Sequence, residues 1–260
     1  DKSGKLHGIT DGTVTGTTAG GIIGEISGDI DIEISGMTTM PVKVLSNVNS
    51  ANGIAGGFAG KVGNGVKIKF TNDTQINIST NVMRYNTSTG WYSGGFIGYM
   101  DGAELECAST GGVLRSGNTD ALRYAGGLVG YANNSSVTVS NYTQSNDTYI
   151  YQSQGGSAAN NFAVGGVIGM YINDDSIAGR KLELSYIKSE DKTAAKASNI
   201  RISGANTNAS KRGGLIGIVD AGSASVNIHD INTDAVDSTA GNGGENCYYV
   251  NMVQRDNNTS

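Results

Sequence analysis

The chain has 260 residues, of which 40 are glycine and one, Pro41, is proline, and its formal net charge is −5 at neutral pH. Glycine does not recur at every third position, which excludes collagen, and the valine, isoleucine and leucine residues fall in short groups, which disfavours disorder. The 18 basic residues are scattered, so we expect no nucleic-acid partner. No run of about 18 apolar residues occurs, so we expect no direct membrane insertion.

A motif of two glycines, two apolar residues and a third glycine occurs six times. The copies begin at Gly20, Gly56, Gly94, Gly126, Gly165 and Gly213 and read GGIIG, GGFAG, GGFIG, GGLVG, GGVIG and GGLIG. Six copies in one chain cannot all be catalytic or phosphate-binding loops, so the motif is architectural. Successive copies lie 36, 38, 32, 39 and 48 residues apart, a period typical of solenoids, propellers and arrays.

Each motif precedes a short turn and then apolar residues at alternate positions, the pattern of a half-buried strand. In chain order these are Ile30, Ile32 and Ile34; Val66, Ile68 and Phe70; Leu105 and Cys107; Val137 and Val139; Leu182 and Leu184; Val226 and Ile228. A third apolar pair usually follows, as at Ile76 and Ile78 or Ile200 and Ile202. We therefore predict an all-β fold, a parallel β-helix (β-solenoid) of about six three-stranded turns with capped ends. A propeller would need antiparallel blades and recurrent hairpin turns.

We expect one domain over residues 1–260, with the repeats in 20–240. Because the open ends of a solenoid expose unpaired strand edges, 1–19 and 241–260 are the expected N- and C-terminal caps. The longest repeat contains a polar insertion, 188–196, which we expect to form a protruding loop.

Charged residues support stacking of the repeats. Asp31 and Glu33 in the first repeat have the same offsets from the motif as Lys67 and Lys69 in the second, which places opposite charges about 4.8 Å apart on neighbouring turns. Counted in the same way, Glu104 and Glu106 fall one position out of register.

The first apolar residue of each motif is large, and we expect it to form an inward ladder, whereas strict alternation would expose the second. The ladder comprises Ile22, Phe58, Phe96, Leu128, Val167 and Leu215. Cys107 and Cys247, the only cysteines, are at least three turns apart in this arrangement, roughly 14 Å or more, too far for a disulfide.

The six motif cores, from Gly20 to Gly217, resemble the GLUG motif, a glycine-rich repeat of bacterial surface proteins that include adhesin-like proteins and some immunoglobulin A-cleaving metallopeptidases. The resemblance implies a secreted or wall-attached bacterial protein. The chain begins with Asp1 and lacks a basic-then-apolar leader, so we expect a processed piece of a longer protein. No HExxH motif is present, so a peptidase site of that zinc type would lie elsewhere in the parent protein.

Residues with catalytic or metal-binding chemistry form no convincing group, and we expect no catalytic site, metal or cofactor. His7 and His229 are far apart in the sequence, with no serine or cysteine motif placed to use them. Asp174 and Asp175 could be paired carboxylates of a glycan-cleaving enzyme, but a turn is the favoured interpretation. The nonapeptide pattern of calcium-binding β-rolls is absent.

Aromatic residues give the one local signal for binding. Tyr92 and Tyr124 share an offset before the motif, Tyr99 and Tyr131 share one after it, and Trp91 adjoins the first pair. Tyrosines in register on adjacent turns form a ladder that either closes a corner or presents a platform for sugar rings or a protein surface.

We expect a non-catalytic, adhesin-like segment of an extracellular bacterial surface protein that binds a host or environmental ligand. Candidate ligands are a glycan, a secreted glycoprotein or an immunoglobulin. The alternative is a structural stalk that spaces another domain from the cell wall, and a polysaccharide-cleaving enzyme ranks below both.

Overall fold

A computed structural model describes most of the repeats. The described residues are 13–35, 43–46, 53–70, 76–78, 81–84, 90–115, 119–121, 123–145, 148–152, 162–189, 201–204, 210–232, 236–237, 245–246 and 250–252. All regular elements in these ranges are strands: β1 Thr13–Gly16, β2 Thr18–Gly20, β3 Ile23–Ile26, β4 Ile30–Ile34, β5 Lys43–Ser46, β6 Gly53–Gly56, β7 Ala59–Val62, β8 Val66–Phe70, β9 Ile76–Ile78, β10 Asn81–Arg84, β11 Gly90–Gly94, β12 Ile97–Asp101, β13 Glu104–Arg115, β14 Thr119–Ala121, β15 Tyr124–Gly126, β16 Val129–Asn133, β17 Ser136–Gln144, β18 Tyr149–Gln152, β19 Phe162–Gly165, β20 Ile168–Ile172, β21 Lys181–Ser189, β22 Arg201–Gly204, β23 Ser210–Gly213, β24 Ile216–Asp220, β25 Ser225–Asn232, β26 Val236–Asp237, β27 Glu245–Asn246 and β28 Val250–Met252.

The strands stack into four sheets, here named A to D. Successive strands of each turn belong to sheets B, C, D and A in that order. Sheet B is β2-β6-β11-β15-β19-β23, sheet C is β3-β7-β12-β16-β20-β24-β28, sheet D is β4-β8-β13-β17-β21-β25, and sheet A is β1-β5-β10-β14-β18-β22-β26-β27. Every strand pair within these sheets is parallel except β26 with β27. The prediction of an all-β parallel β-helix is confirmed.

Each turn contributes to four sheets rather than the three expected, because the glycine motif itself spans two of them. In the fourth motif β15 ends at Gly126, Gly127 and Leu128 form a bend, and β16 begins at Val129. The motif is therefore the corner between sheets B and C. The turn before each sheet D strand forms a separate corner.

The largest hydrophobic cluster lies between sheets C and D and continues along the stack. Phe58 and Phe96 stack with ring centroids 4.8 Å apart, and Phe70 meets Phe96 edge-on at 5.1 Å. Burying one such side chain contributes about 1.5–3 kcal/mol. Smaller clusters between sheets A and B contain Ala121, Ala125, Ile150 and Val164, and Ala19, Val44, Ala55 and Val82.

The bend in the motif turns both of its apolar residues inward. Five of the six predicted ladder residues are buried, and so are Ala59, Ile97, Val129, Ile168 and Ile216 at the position that strict alternation would expose. The remaining ladder residue, Ile22, is 39% exposed, so the prediction is wrong at that position. Ile22 belongs to the first turn, which has one neighbouring turn among the described residues.

The third glycine of the motif allows turns to approach at backbone distance. A Cβ added at Gly130 would lie 2.5 Å from the Gly98 carbonyl oxygen, and one at Gly169 would lie 2.4 Å from that of Gly130. Real Cβ contacts essentially never fall below 3.0 Å. Only glycine therefore fits this column within the stack.

The charged residues of sheet D stack as predicted, with one correction. Asp31 pairs with Lys67 and Glu33 pairs with Lys69 between β4 and β8. Glu104 and Glu106 are also in register with the two lysines, not one position away. The one-residue difference in offset arises in the turn before β13. The chain from Met100 to Glu104 is one residue shorter there than the chain from Val62 to Lys67.

Cys107 is buried and is a free thiol, as predicted, and burial raises the pKa of that thiol well above its usual value. Cys247 lies outside the described residues, as do His7 and most of the predicted insertion and caps. The cap boundaries stay predictions. No helix long and apolar enough to cross a bilayer occurs in the described part of the chain.

Candidate functional site

The glycine corner brings two outward positions of each turn together. One position lies two residues before the first glycine in sheet B, and the other lies one residue after the third glycine in sheet C. The pairs are Thr18 and Glu25, Ile54 and Lys61, Tyr92 and Tyr99, Tyr124 and Tyr131, Ala163 and Met170, and Lys211 and Ile218. They stack in register from turn to turn. Only the third and fourth turns place tyrosine at both positions.

We call Tyr92, Tyr99, Tyr124 and Tyr131 the tyrosine cluster. Tyr92 stacks on Tyr124 and Tyr99 stacks on Tyr131, each with centroids 5.4 Å apart and planes within 14°. The two stacks meet edge to face at 5.1–5.3 Å. Offset-stacked and edge-to-face contacts of this kind add about 0.5–1.5 kcal/mol per pair beyond the area that they bury.

Trp91 and Arg123 extend the cluster on its sheet B side. A shift of register between Gly90 and Tyr92 accommodates Trp91, and the backbone N–H of Arg123 donates to the Trp91 carbonyl at 3.3 Å. The Arg123 guanidinium carbon lies 3.6 Å from the centroid of the Trp91 ring. This cation–π contact holds a positive charge beside the tyrosine rings.

A buried apolar cluster adjoins the tyrosine cluster along the stack. Ala163, Met170 and Ile218 form a buried cluster against which Tyr124 and Tyr131 pack. These three residues occupy the outward positions of the fifth and sixth turns, so the tyrosine cluster is supported from one side by aliphatic side chains.

Burial raises the pKa of all four cluster tyrosines. The pKa of Tyr99 rises to about 12 because of desolvation, with smaller contributions from the Asp101 carboxylate and Tyr92. Desolvation also raises the pKa of Tyr131 and, against the opposing charge of Arg123, those of Tyr92 and Tyr124. The cluster therefore presents neutral hydroxyl groups at physiological pH.

The arrangement shows the ring packing that the sequence allowed for these residues, and the binding platform stays a prediction. The rings are in mutual contact, which closes the corner and leaves no space for a ligand group between them. All five aromatic residues, Trp91 included, are nonetheless only half-buried. A ligand would lie across the exposed ring rims and hydroxyls, which suits a sugar ring or a protein side chain better than a caged cation.

The other sequence candidates form turns or small contacts. Asp174 Oδ1 accepts hydrogen bonds from the backbone N–H and the hydroxyl of Ser176, which is the turn that we favoured over a carboxylate pair. His229 Nδ1 lies 2.7 Å from Asp230 Oδ2. No group of three or more His, Cys, Asp or Glu side chains in the described ranges could hold a metal ion.

Arg123 was not predicted from the sequence, although its signal was present. Arg123 immediately precedes Tyr124, as Trp91 immediately precedes Tyr92, so the register of the tyrosines already implied contact between the preceding residues. Comparison with protein-family models, with curated proteins and with solved structures finds no match.

Proposed function

We propose that this chain is a non-catalytic, adhesin-like segment of an extracellular bacterial surface protein that binds a glycan or glycoprotein through the tyrosine cluster. The observation that carries the proposal is that tyrosine occupies both outward corner positions in two successive turns, where four half-buried rings form one surface. Packing of the corner does not require this, because Thr18 with Glu25 and Ala163 with Met170 occupy the same positions in other turns.

The chemistry of the surface favours a ligand with alternating apolar and polar groups. Aromatic rims contact the C–H faces of a sugar ring, and neutral hydroxyls both donate and accept hydrogen bonds. Arg123, held against Trp91, adds a planar donor that suits carboxylate or hydroxyl groups. Protein ligands such as immunoglobulins remain in the proposal because tyrosine, tryptophan and arginine are enriched at energetically important interface positions.

A structural stalk is the alternative, and ion pairs between neighbouring turns on sheets C and D favour it. Lys69 pairs with Glu106 at 3.5 Å and Lys61 pairs with Glu25 at 2.7 Å between neighbouring turns. Alternating charge, which on sheet D covers the first three turns, stabilises stacking without any ligand, although exposed pairs contribute only about 0–1 kcal/mol each.

The test is binding of the purified 260-residue chain to a panel of glycans and secreted glycoproteins, immunoglobulins included. The variant Trp91→Ala, Tyr92→Ala, Tyr124→Ala removes most of the aromatic surface, and at least a tenfold loss of affinity is expected for contacts of this kind. Tyr149 and Tyr151, whose rings stack at 5.6 Å in sheet A, supply the control Tyr149→Ala, Tyr151→Ala.

Loss of binding in the folded triple variant but not in the control supports the proposal. Binding that survives in the triple variant refutes the assigned surface. No binding by the wild-type chain across the panel favours the stalk.

A further inference from the structure

A column of residues with positive φ forms a corner within sheet D. Gly112, Asn141, Tyr186 and Asp230 have φ values of 81°, 60°, 51° and 53°. The pairing of Ser140 with Ser185 and of Ser185 with His229 places Asn141, Tyr186 and Asp230 on successive turns, and Gly112 contacts Asn141 from the turn before. The four residues bend their long strands at the same place.

Tyr186 is the residue of this column that folding does not explain. Glycine, asparagine and aspartate tolerate the left-handed region, whereas a bulky residue there is strained by about 1–2 kcal/mol. The side chain gains little burial in return, because Tyr186 is 59% exposed. Its one ring contact among the described residues is an edge-on approach to His229, with centroids 6.0 Å apart.

A strained, exposed aromatic residue is expected where its side chain serves binding. Beside it, His229 Nδ1 and Asp230 Oδ2 are 2.7 Å apart. That bond orients the imidazole, and a carboxylate has capacity for further hydrogen bonds. The corner thus combines an exposed aromatic side chain with an oriented imidazole and a carboxylate.

We infer that Tyr186, His229 and Asp230 form a second sugar-binding site, for a neutral pyranoside with one apolar face, such as a β-galactoside. The C–H groups at positions 3, 4 and 5 of galactose lie on one face of the ring and stack on the Tyr186 ring. The hydroxyls at the sugar's edge donate to the carboxylate of Asp230 and accept from His229. The carboxylate disfavours phosphate and other anions.

This site is independent of the tyrosine cluster, because it is built on sheet D whereas the cluster lies on sheets B and C. The two sites would engage a branched or multivalent glycan at different faces of the solenoid. Failure of one proposal leaves the other standing.

The experiment is titration of the 260-residue chain with methyl β-D-galactopyranoside, with binding monitored by saturation-transfer NMR. Thermal unfolding is measured on every variant. Tyr186→Asn keeps a residue suited to positive φ and removes the ring. We expect at least a tenfold loss of affinity together with an unfolding midpoint that is unchanged or raised by about 2 °C. Tyr186→Phe retains the ring, and Tyr92→Ala, Tyr124→Ala leaves this site intact, so both should bind the galactoside.

Asp230→Asn is the second probe, since asparagine also suits positive φ but lacks the charge, and it should weaken binding at least fivefold without lowering the midpoint. Three results would each overturn the inference. These are no galactoside binding by the wild-type chain, undiminished binding by Tyr186→Asn, or an unfolding midpoint of Tyr186→Asn well below the wild-type value.

Discussion

Replacement of Gly130 by alanine tests whether the motif glycines are required by the contact between turns. An added Cβ would lie 2.5 Å from the Gly98 carbonyl oxygen and 2.7 Å from that of Ser93. Ordinary contact begins near 3.4 Å, so backbone atoms on the neighbouring turn must move by nearly 1 Å. Overpacking of a rigid interior costs about 1–3 kcal/mol and sometimes more, and backbone cannot yield as a side chain can. We expect Gly130→Ala to lower the free energy of unfolding by about 3 kcal/mol.

The matched control is Gly24→Ala. Gly24 is the third glycine of the first motif, but the nearest atom to an added Cβ there is the Thr18 carbonyl oxygen at 3.4 Å. This substitution should change the free energy of unfolding by less than about 1 kcal/mol in either direction. Denaturant unfolding followed by the fluorescence of Trp91, the only tryptophan, compares the two variants through their midpoints and slopes.

Equal losses in the two variants would show that the motif needs glycine for its local conformation rather than for stacking. A neutral Gly130→Ala would refute the close approach of the turns. Only a large difference between the two positions agrees with the geometry.

Two further predictions concern single polar groups. Ser93 is fully buried with no hydrogen-bond partner for its hydroxyl in the described structure, and alanine occupies the same register position in both neighbouring turns. Ser93→Ala should therefore raise the free energy of unfolding by about 1 kcal/mol in denaturant titration, and a loss of stability would contradict this. The raised pKa of Tyr99, about 12 against the usual 10.0, means that the unfolded chain releases this proton first. The contribution of Tyr99 to the free energy of unfolding should be fully present below pH 10 and should be lost as the pH rises toward 12. Phenolate absorbance should show that some tyrosines ionise well above pH 10. Ionisation of all twelve tyrosines near pH 10 would exclude a desolvated cluster.

The stacking could be read from the sequence because the glycine motif and the strand that follows it repeat together. The number of sheets could not, since the motif contains a bend inside five residues, and period-two alternation describes only what lies outside such a bend. The same bend explains why Val129 is buried beside Leu128. The register of Glu104 could not be found by counting residues from the motif either. The turn before β13 is one residue shorter, which changes the count but not the pairing with Lys67.

The candidate site was predictable where it depends on register and not where it depends on backbone conformation. Tyr92 and Tyr124 share an offset, and they stack. Tyr186 shares no pattern with other aromatic residues. Tyr186 stands out only because of its positive φ and because Gly112 and Asn141 precede it in the same column. The repeats that hold these residues differ in length, so the column cannot be recognised from the sequence.

At the glycine corners of the third and fourth turns, the outward tyrosine positions are separate from the inward core. The inward residues and the glycines are constrained by every neighbouring turn, whereas the outward positions of the third and fourth turns, which carry the tyrosines, are only half-buried. Substitutions at these four positions could therefore alter or erase the aromatic surface while the inward core stays unchanged. If the tyrosine cluster binds a ligand as proposed, the number of tyrosine-bearing turns would set the length of ligand that the surface accommodates.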